Sequence, residues 1–120
     1  MILVDTSVWV DHFRQGIPLL GDLLSEGKVT THPFVIGELA CGNLKNRTEI
    51  LTLLASLPVV KVATHLEALH LVETHALGGT GIGWMDVHLL AAALLNRVPL
   101  WTRDRKLHAV AKVIGIAEKV

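Results

Sequence analysis

Met1-Ile2-Leu3-Val4-Asp5-Thr6-Ser7 decides how the rest of this 120-residue chain is read. Ile2, Leu3 and Val4 form a short, apolar, β-prone run that turns polar at Asp5. Helical spacing comes next, through Val8, Trp9, Val10 and Phe13, with Gly16 behind it. So short an apolar run, with no polar alternation, reads as a buried central strand of a parallel sheet. Asp5 then stands at the strand's carboxyl end, where open α/β sheets gather their ligands. A competing reading makes Asp5 or Thr6 merely the cap of the next helix.

Outward from that strand, the chain alternates. Pro18 to Leu24 carries Leu19, Leu20, Leu23 and Leu24 at helical spacing and stops at Gly27. Val29 to Thr31 is a weak second strand. Pro33 opens a helix that Gly42 closes, and 47–57 is another helix. Pro58 precedes a third strand over 59–62, and 64–77 is helical. Gly78 to Gly83 is a glycine loop. It leads into a strongly apolar helix over 84–96, a fourth strand over 98–102, a helix over 104–112 and a fifth, edge strand over 113–117. Strands alternating with helices define an α/β fold with a mainly parallel sheet, its strand carboxyl ends all on one edge.

The composition sets limits. Half of the residues (51%) are hydrophobic and 18% are charged, enough to build one core in one domain over 1–120. Lys plus Arg and Asp plus Glu are both 11, a net charge of zero. Nucleic-acid binding must therefore rest on a local patch or on a metal, because overall charge does not supply it. One cysteine, Cys41, rules out an internal disulfide and suits a reducing cytosol; it reads as a small core hydrophobe. Asp5 interrupts what would be a signal core, so secretion is not expected. The apolar run Leu89–Leu95 is far too short to span a bilayer, so no membrane partner is expected.

The topology brings acids together. Asp5 follows the first strand and Asp104 the fourth, while Asp86 lies in the first turn of the helix after the glycine loop. Glu38 sits inside a helix among Phe34, Val35 and Leu39, where a carboxylate is costly to bury without a cation or a donor. Each acid has a plainer reading. Asp86 suits a helix dipole, Asp104 suits a cap, and Glu38 has Lys45 or Arg47 as a possible ion-pair partner. Four acids at one edge of one sheet point jointly to a divalent metal, and oxygen ligands of this kind select Mg²⁺ or Mn²⁺. Such a site serves phosphodiester hydrolysis with one ion, or with two about 3.5–4 Å apart.

At these residues the chain resembles a known family. Met1 to Trp9, Glu38 in Ile36-Gly37-Glu38-Leu39, Asp86 in Trp84-Met85-Asp86-Val87-His88, and Thr102-Arg103-Asp104 look like the PIN-domain nucleases, and within them the VapC toxins of bacterial toxin–antitoxin pairs. The separation of Asp86 and Asp104, 104 − 86 = 18 residues, is family-like. The resemblance implies a three-layer sandwich whose central, mainly parallel sheet has four to five strands flanked by helices. It implies a cytoplasmic Mg²⁺- or Mn²⁺-dependent endoribonuclease with metal ligands and catalytic acids at Asp5, Glu38, Asp86 and Asp104. A homodimer and a cognate antitoxin whose tail plugs the site are implied too. Ser7 and Thr102 are expected to steady the acids through their hydroxyls.

Lys45, Arg47, Arg103, Arg105 and Lys106 flank these motifs and are candidate contacts to RNA phosphates, against a reading as ordinary solvated charge. His65, His70 and His75 recur every five residues, which fans them by about 140° per step on a helix and argues against zinc. His88 is a packed or solvated histidine, or touches substrate. Trp9, Trp84 and Trp101 are expected in core or dimer packing, with base stacking as the other option. No Gly-Lys-Ser/Thr comes after the glycine loop, so a nucleotide-binding reading is weak. Two further classes stay open: a phosphotransfer or phosphatase domain with Asp5 as nucleophile, and a non-enzymatic binding module.

Overall fold

A computed structural model describes residues 1–118. The order is β1 (Ile2–Val4), α1 (Thr6–Gln15), α2 (Pro18–Ser25), β2 (Val29–Thr30), α3 (Pro33–Cys41), α4 (Arg47–Ser56), α5 (His65–Thr74), α6 (Trp84–Asn96), β3 (Leu100–Trp101) and α7 (Arg105–Ile114). β1 is the central strand, with β2 on one side and β3 on the other, both parallel to it. The register pairs Leu3 with Thr30 and with Leu100, and Val4 with Trp101. Leu3 and Val4 are fully buried, as a central strand covered on both faces requires.

α6 accounts for much of the core. Val87 through Ala93 are all buried, and Leu90 is fully so. Around them pack Val8, Trp9, Leu20, Leu54, Leu100 and Leu107. Each fully buried leucine contributes roughly 2 kcal/mol of transfer free energy. Among the described residues, no helix is long and apolar enough to cross a membrane.

Three strands form the sheet among the described residues, where the sequence led us to expect four to five. The expected third strand, 59–62, touches the sheet only through a bridge between Thr31 and Val59. Its backbone then finds a different partner. The Asn96 side chain accepts from the Lys61 amide (2.9 Å) and donates to the Lys61 carbonyl (2.8 Å), replacing a neighbouring strand. The expected fifth strand also fails, because α7 runs on to Ile114. Gly115 turns the chain at φ 89°, and one bridge joins Ala117 to Leu100. Asn96→Ala is expected to lower stability by about 0.5–1 kcal/mol, since it removes both Lys61 bonds while water reaches the exposed groups; a thermal melt measures it.

Two helix starts bear directly on the acidic edge and its surroundings. His32 caps α3 with its ring: Nδ1 accepts from the Phe34 amide at 2.9 Å, and Pro33 occupies the first turn. Thr64 and Glu67 form a reciprocal capping box that fixes the first residue of α5, His65.

Candidate active site

Asp5 ends β1 and is only 6% exposed. Its amide donates to the Trp101 carbonyl (2.9 Å), so the strand ladder holds it in place. Although it precedes α1, its side chain makes no capping bond. Instead Oδ2 accepts from Ser7 Oγ and from Thr102 Oγ1, both at 2.7 Å. Each hydroxyl in turn accepts a backbone amide, Ser7 from Arg103 (3.0 Å) and Thr102 from Asp104 (3.1 Å). Two hydroxyls therefore link the end of β1 to the turn between β3 and α7. A buried carboxylate is costly without such donors.

The other three acids differ. Asp104 is exposed and caps α7, with Oδ1 accepting from the Leu107 amide at 2.9 Å; the capping reading holds for this residue, and its second oxygen has no protein donor among the described residues. Asp86 lies half-buried in the first turn of α6. Glu38 is exposed, so the expected burial cost on an apolar helix face does not arise: the helix turns it to the surface, where Thr6 Oγ1 donates to Oε1 at 3.1 Å. It forms no ion pair with Lys45 or Arg47 among the described residues. Thr6 is a partner that the sequence does not reveal, because nothing local links residues 32 positions apart.

The four acids share one electrostatic neighbourhood. Burial, then the negative charges of Asp5, Asp104 and Glu38, push the Asp86 carboxyl up from its usual 3.8 to about 6. Among the described residues, no three His, Cys, Asp or Glu side chains are already drawn into one closed ligand set. The donor set is nevertheless all carboxylate oxygen, the chemistry that suits a hard divalent ion.

The basic candidates are less uniform than their sequence suggests. Arg103 pairs with Asp11 (3.0 Å) and braces the β3–α7 turn against α1, a partnership that sequence spacing does not show. Arg47 reaches the Gly42 carbonyl at 3.5 Å. Lys106 lies across Gly81, so closely that a Cβ there would sit 2.8 Å from its Nζ. Arg105 and Lys45 are exposed. Lys45 also lines a groove of about 850 Å³ between α1 and the α3–α4 corner, which opens onto Thr6 and Glu38. Cys41 is exposed, not the small core residue expected, because it falls on the outer face of the last turn of α3. Trp9 and Trp101 are buried as core residues, whereas Trp84 is 40% exposed. His65, His70 and His75 are all exposed.

A parallel sheet with acids at its strand ends defines a class, and comparison with known proteins agrees. The PIN domain model matches residues 2–113, and the chain belongs to the PIN domain family. It is similar to Ribonuclease VapC32 of Mycobacterium tuberculosis, strains CDC 1551 / Oshkosh and ATCC 25618 / H37Rv. Each is 46% identical over 118 residues, covering 98% of this chain and 95% of the relative. The crystal structure of PAE2754 from Pyrobaculum aerophilum shares the fold, with a TM-score of 0.72 at 16% identity, over 98% of this chain and 87% of that one.

Proposed function

We propose that the chain is a Mg²⁺- or Mn²⁺-dependent endoribonuclease of the VapC type, with Asp5, Glu38, Asp86 and Asp104 as metal ligands and catalytic acids. One observation carries the reading: Asp86 is half-buried and faces the negative charges of Asp5, Asp104 and Glu38 from separate elements, and burial first, then those charges, hold its carboxyl above the usual range. Such crowding is unfavourable in itself and becomes useful when a cation neutralises it. The 46% identity to proteins named ribonuclease supports RNA as substrate.

Bound among these acids, a divalent ion supplies water activation and neutralises charge on the phosphate. The chain's own residues do the rest. Ser7 and Thr102 fix Asp5 Oδ2 through two short hydrogen bonds. Thr6 restrains Glu38, and the Leu107 amide restrains Asp104. Arg105, Lys106 and Lys45 hold RNA phosphates; Arg103 and Arg47 act chiefly as braces, through Asp11 and Gly42.

Two surfaces suit the partners. The groove beside Glu38, lined by Val10, Phe13, Leu44 and Ile50, suits the apolar tail of a cognate antitoxin. The α5–α6 face exposes Leu66 (75%), Leu94 and Leu95 around a hollow of about 520 Å³, which suits a homodimer.

Purified protein is expected to cut total cellular RNA into discrete fragments with Mn²⁺ or Mg²⁺. Chelator is expected to stop cleavage, and so is Asp5→Asn in a variant that melts as a folded protein. Cleavage that survives chelator and the substitution would sink the metal-centre reading. No cleavage by folded, metal-supplied protein would move the binding-module reading to the front.

A further inference from the structure

A line of five rings runs from the core to the surface beside Asp86. It starts at His32, the buried cap of α3, whose ring lies 4.8 Å from that of Phe34. Phe34 meets His88 edge-on at 5.1 Å. His88 meets Trp84 at 4.8 Å with the planes at 88°, and Trp84 meets His65 at 5.2 Å. The line ends in two exposed rings, an indole and an imidazole. Each is the first residue of its helix, and the capping box at Thr64 fixes the backbone that carries the imidazole.

Trp84 stands two residues before Asp86, which sets the two side chains about 160° apart around α6, so the tie between the rings and the acids runs through α3. Phe34 stands one helical turn before Glu38 on the same side of α3. His88 is only 6% exposed, and its Nδ1 has no hydrogen-bond partner among the described residues. A rigid aromatic wall thus stands behind an indole that remains 40% open, while the other two tryptophans are 0% and 5% exposed.

We propose that Trp84, flanked by His65, is a stacking platform for an unpaired base next to the phosphodiester held at the acids. The proposal rests on the ribonuclease reading. An indole already braced by two rings loses little freedom when a base arrives, and a flat π-face accepts any base. The ribonuclease reading supplies the occupant: a strand that leaves the acids along the Glu38–Phe34 side of α3 brings its next base to the open indole.

The test compares full-length wild type, Trp84→Phe and Trp84→Ala. A fluorescent pool of random single-stranded RNA serves as probe, with Ca²⁺ for binding by anisotropy and Mn²⁺ for cleavage. Trp84→Ala is expected to weaken binding about tenfold, the scale of one lost base stack. KM is expected to rise in proportion, while kcat changes by less than about threefold. Trp84→Phe, which keeps a π-face, is expected to stay within about threefold of wild type, and all three proteins to elute alike on gel filtration. Unchanged affinity in Trp84→Ala overturns the proposal, and so does a fall in oligomeric state, which would assign the indole to subunit packing. If wild type cleaves RNA and Trp84→Ala cleaves it equally well, only the platform fails. If wild type cleaves none, the ribonuclease reading fails and the platform with it.

Discussion

Asp86→Asn is expected to raise the stability of the metal-free protein at pH 7.5 by up to about 3 kcal/mol while removing RNA cleavage. The carboxyl rises from its usual 3.8 to about 6 in the folded chain. The fold thus favours the protonated form. That favourable contribution is complete below pH 3.8 and is lost as pH rises through 6, which makes the ionised group a liability at neutral pH. The separation of about 2 units corresponds to roughly 3 kcal/mol, an upper bound because water on the open side of a half-buried group screens its neighbours. In a domain of this size that is on the order of 10 °C in Tm. Asparagine keeps the shape and drops the charge. Below about pH 4, where the carboxyl is protonated, the two proteins are expected to melt together. With millimolar Mn²⁺ at neutral pH the wild type is expected to recover the difference, because an ion bound only to the folded state stabilises it. A variant less stable than wild type at neutral pH without metal would show that Asp86 is not crowded by its neighbours.

His32 tilts the same profile the other way. Burial, and then His88, hold its imidazole down from 6.5 to about 4. Its neutral form caps α3, so the stability it contributes is present above pH 6.5 and is lost as pH falls through 4. The two effects offset one another in wild type over roughly the same interval. In Asp86→Asn only the histidine effect remains, so the variant's stability is expected to fall more steeply on acidification.

Leu90→Asp is expected to abolish the folded state. Leu90 is fully buried in the middle of α6, the helix with the longest buried stretch, and no described cation stands ready to pair with a carboxylate there. Stranding that charge costs more than about 5 kcal/mol, comparable to the whole stability of a small domain. Leu94→Asp, one turn further on, is the matched control. Leu94 is 37% exposed, so this variant is expected to keep its helical circular dichroism. Equal behaviour of the two would mean that α6 packs differently.

The sequence exposes this fold unevenly. β1 and α6 are plain from their residues, because a short apolar run and a long apolar helix have no other home than the core. Asp5 and Asp86 take their places from these two elements, and Asp104 takes its place from the turn between β3 and α7. Strand count is harder. Val59 to Val62 looks like a strand on local grounds, and what diverts it is the Asn96 amide, 35 residues away. Exposure within α3 is equally hidden. Its residues are nearly all apolar, so periodicity does not reveal that Glu38 and Cys41 face outward. Nor does sequence spacing show that Arg103 is engaged by Asp11, a contact made only once β3 lies beside β1.

The single-residue bridges at Val59 and Ala117 have a consequence for the protein in a crowded solution. A three-stranded sheet has two outer strands, and bare outer strands invite another chain to add itself by main-chain hydrogen bonding. Here β2 is followed by Thr31, which donates to Pro58 and accepts from Val60. On the other side Leu100 donates to Ile116 and accepts from Glu118. Each flank is closed by a few residues of the chain's own later segments. These short seals need few residues, and they leave little exposed ladder to seed cross-β aggregation. Visitors to this molecule therefore meet side chains, and side chains choose their company far more selectively than a naked backbone does.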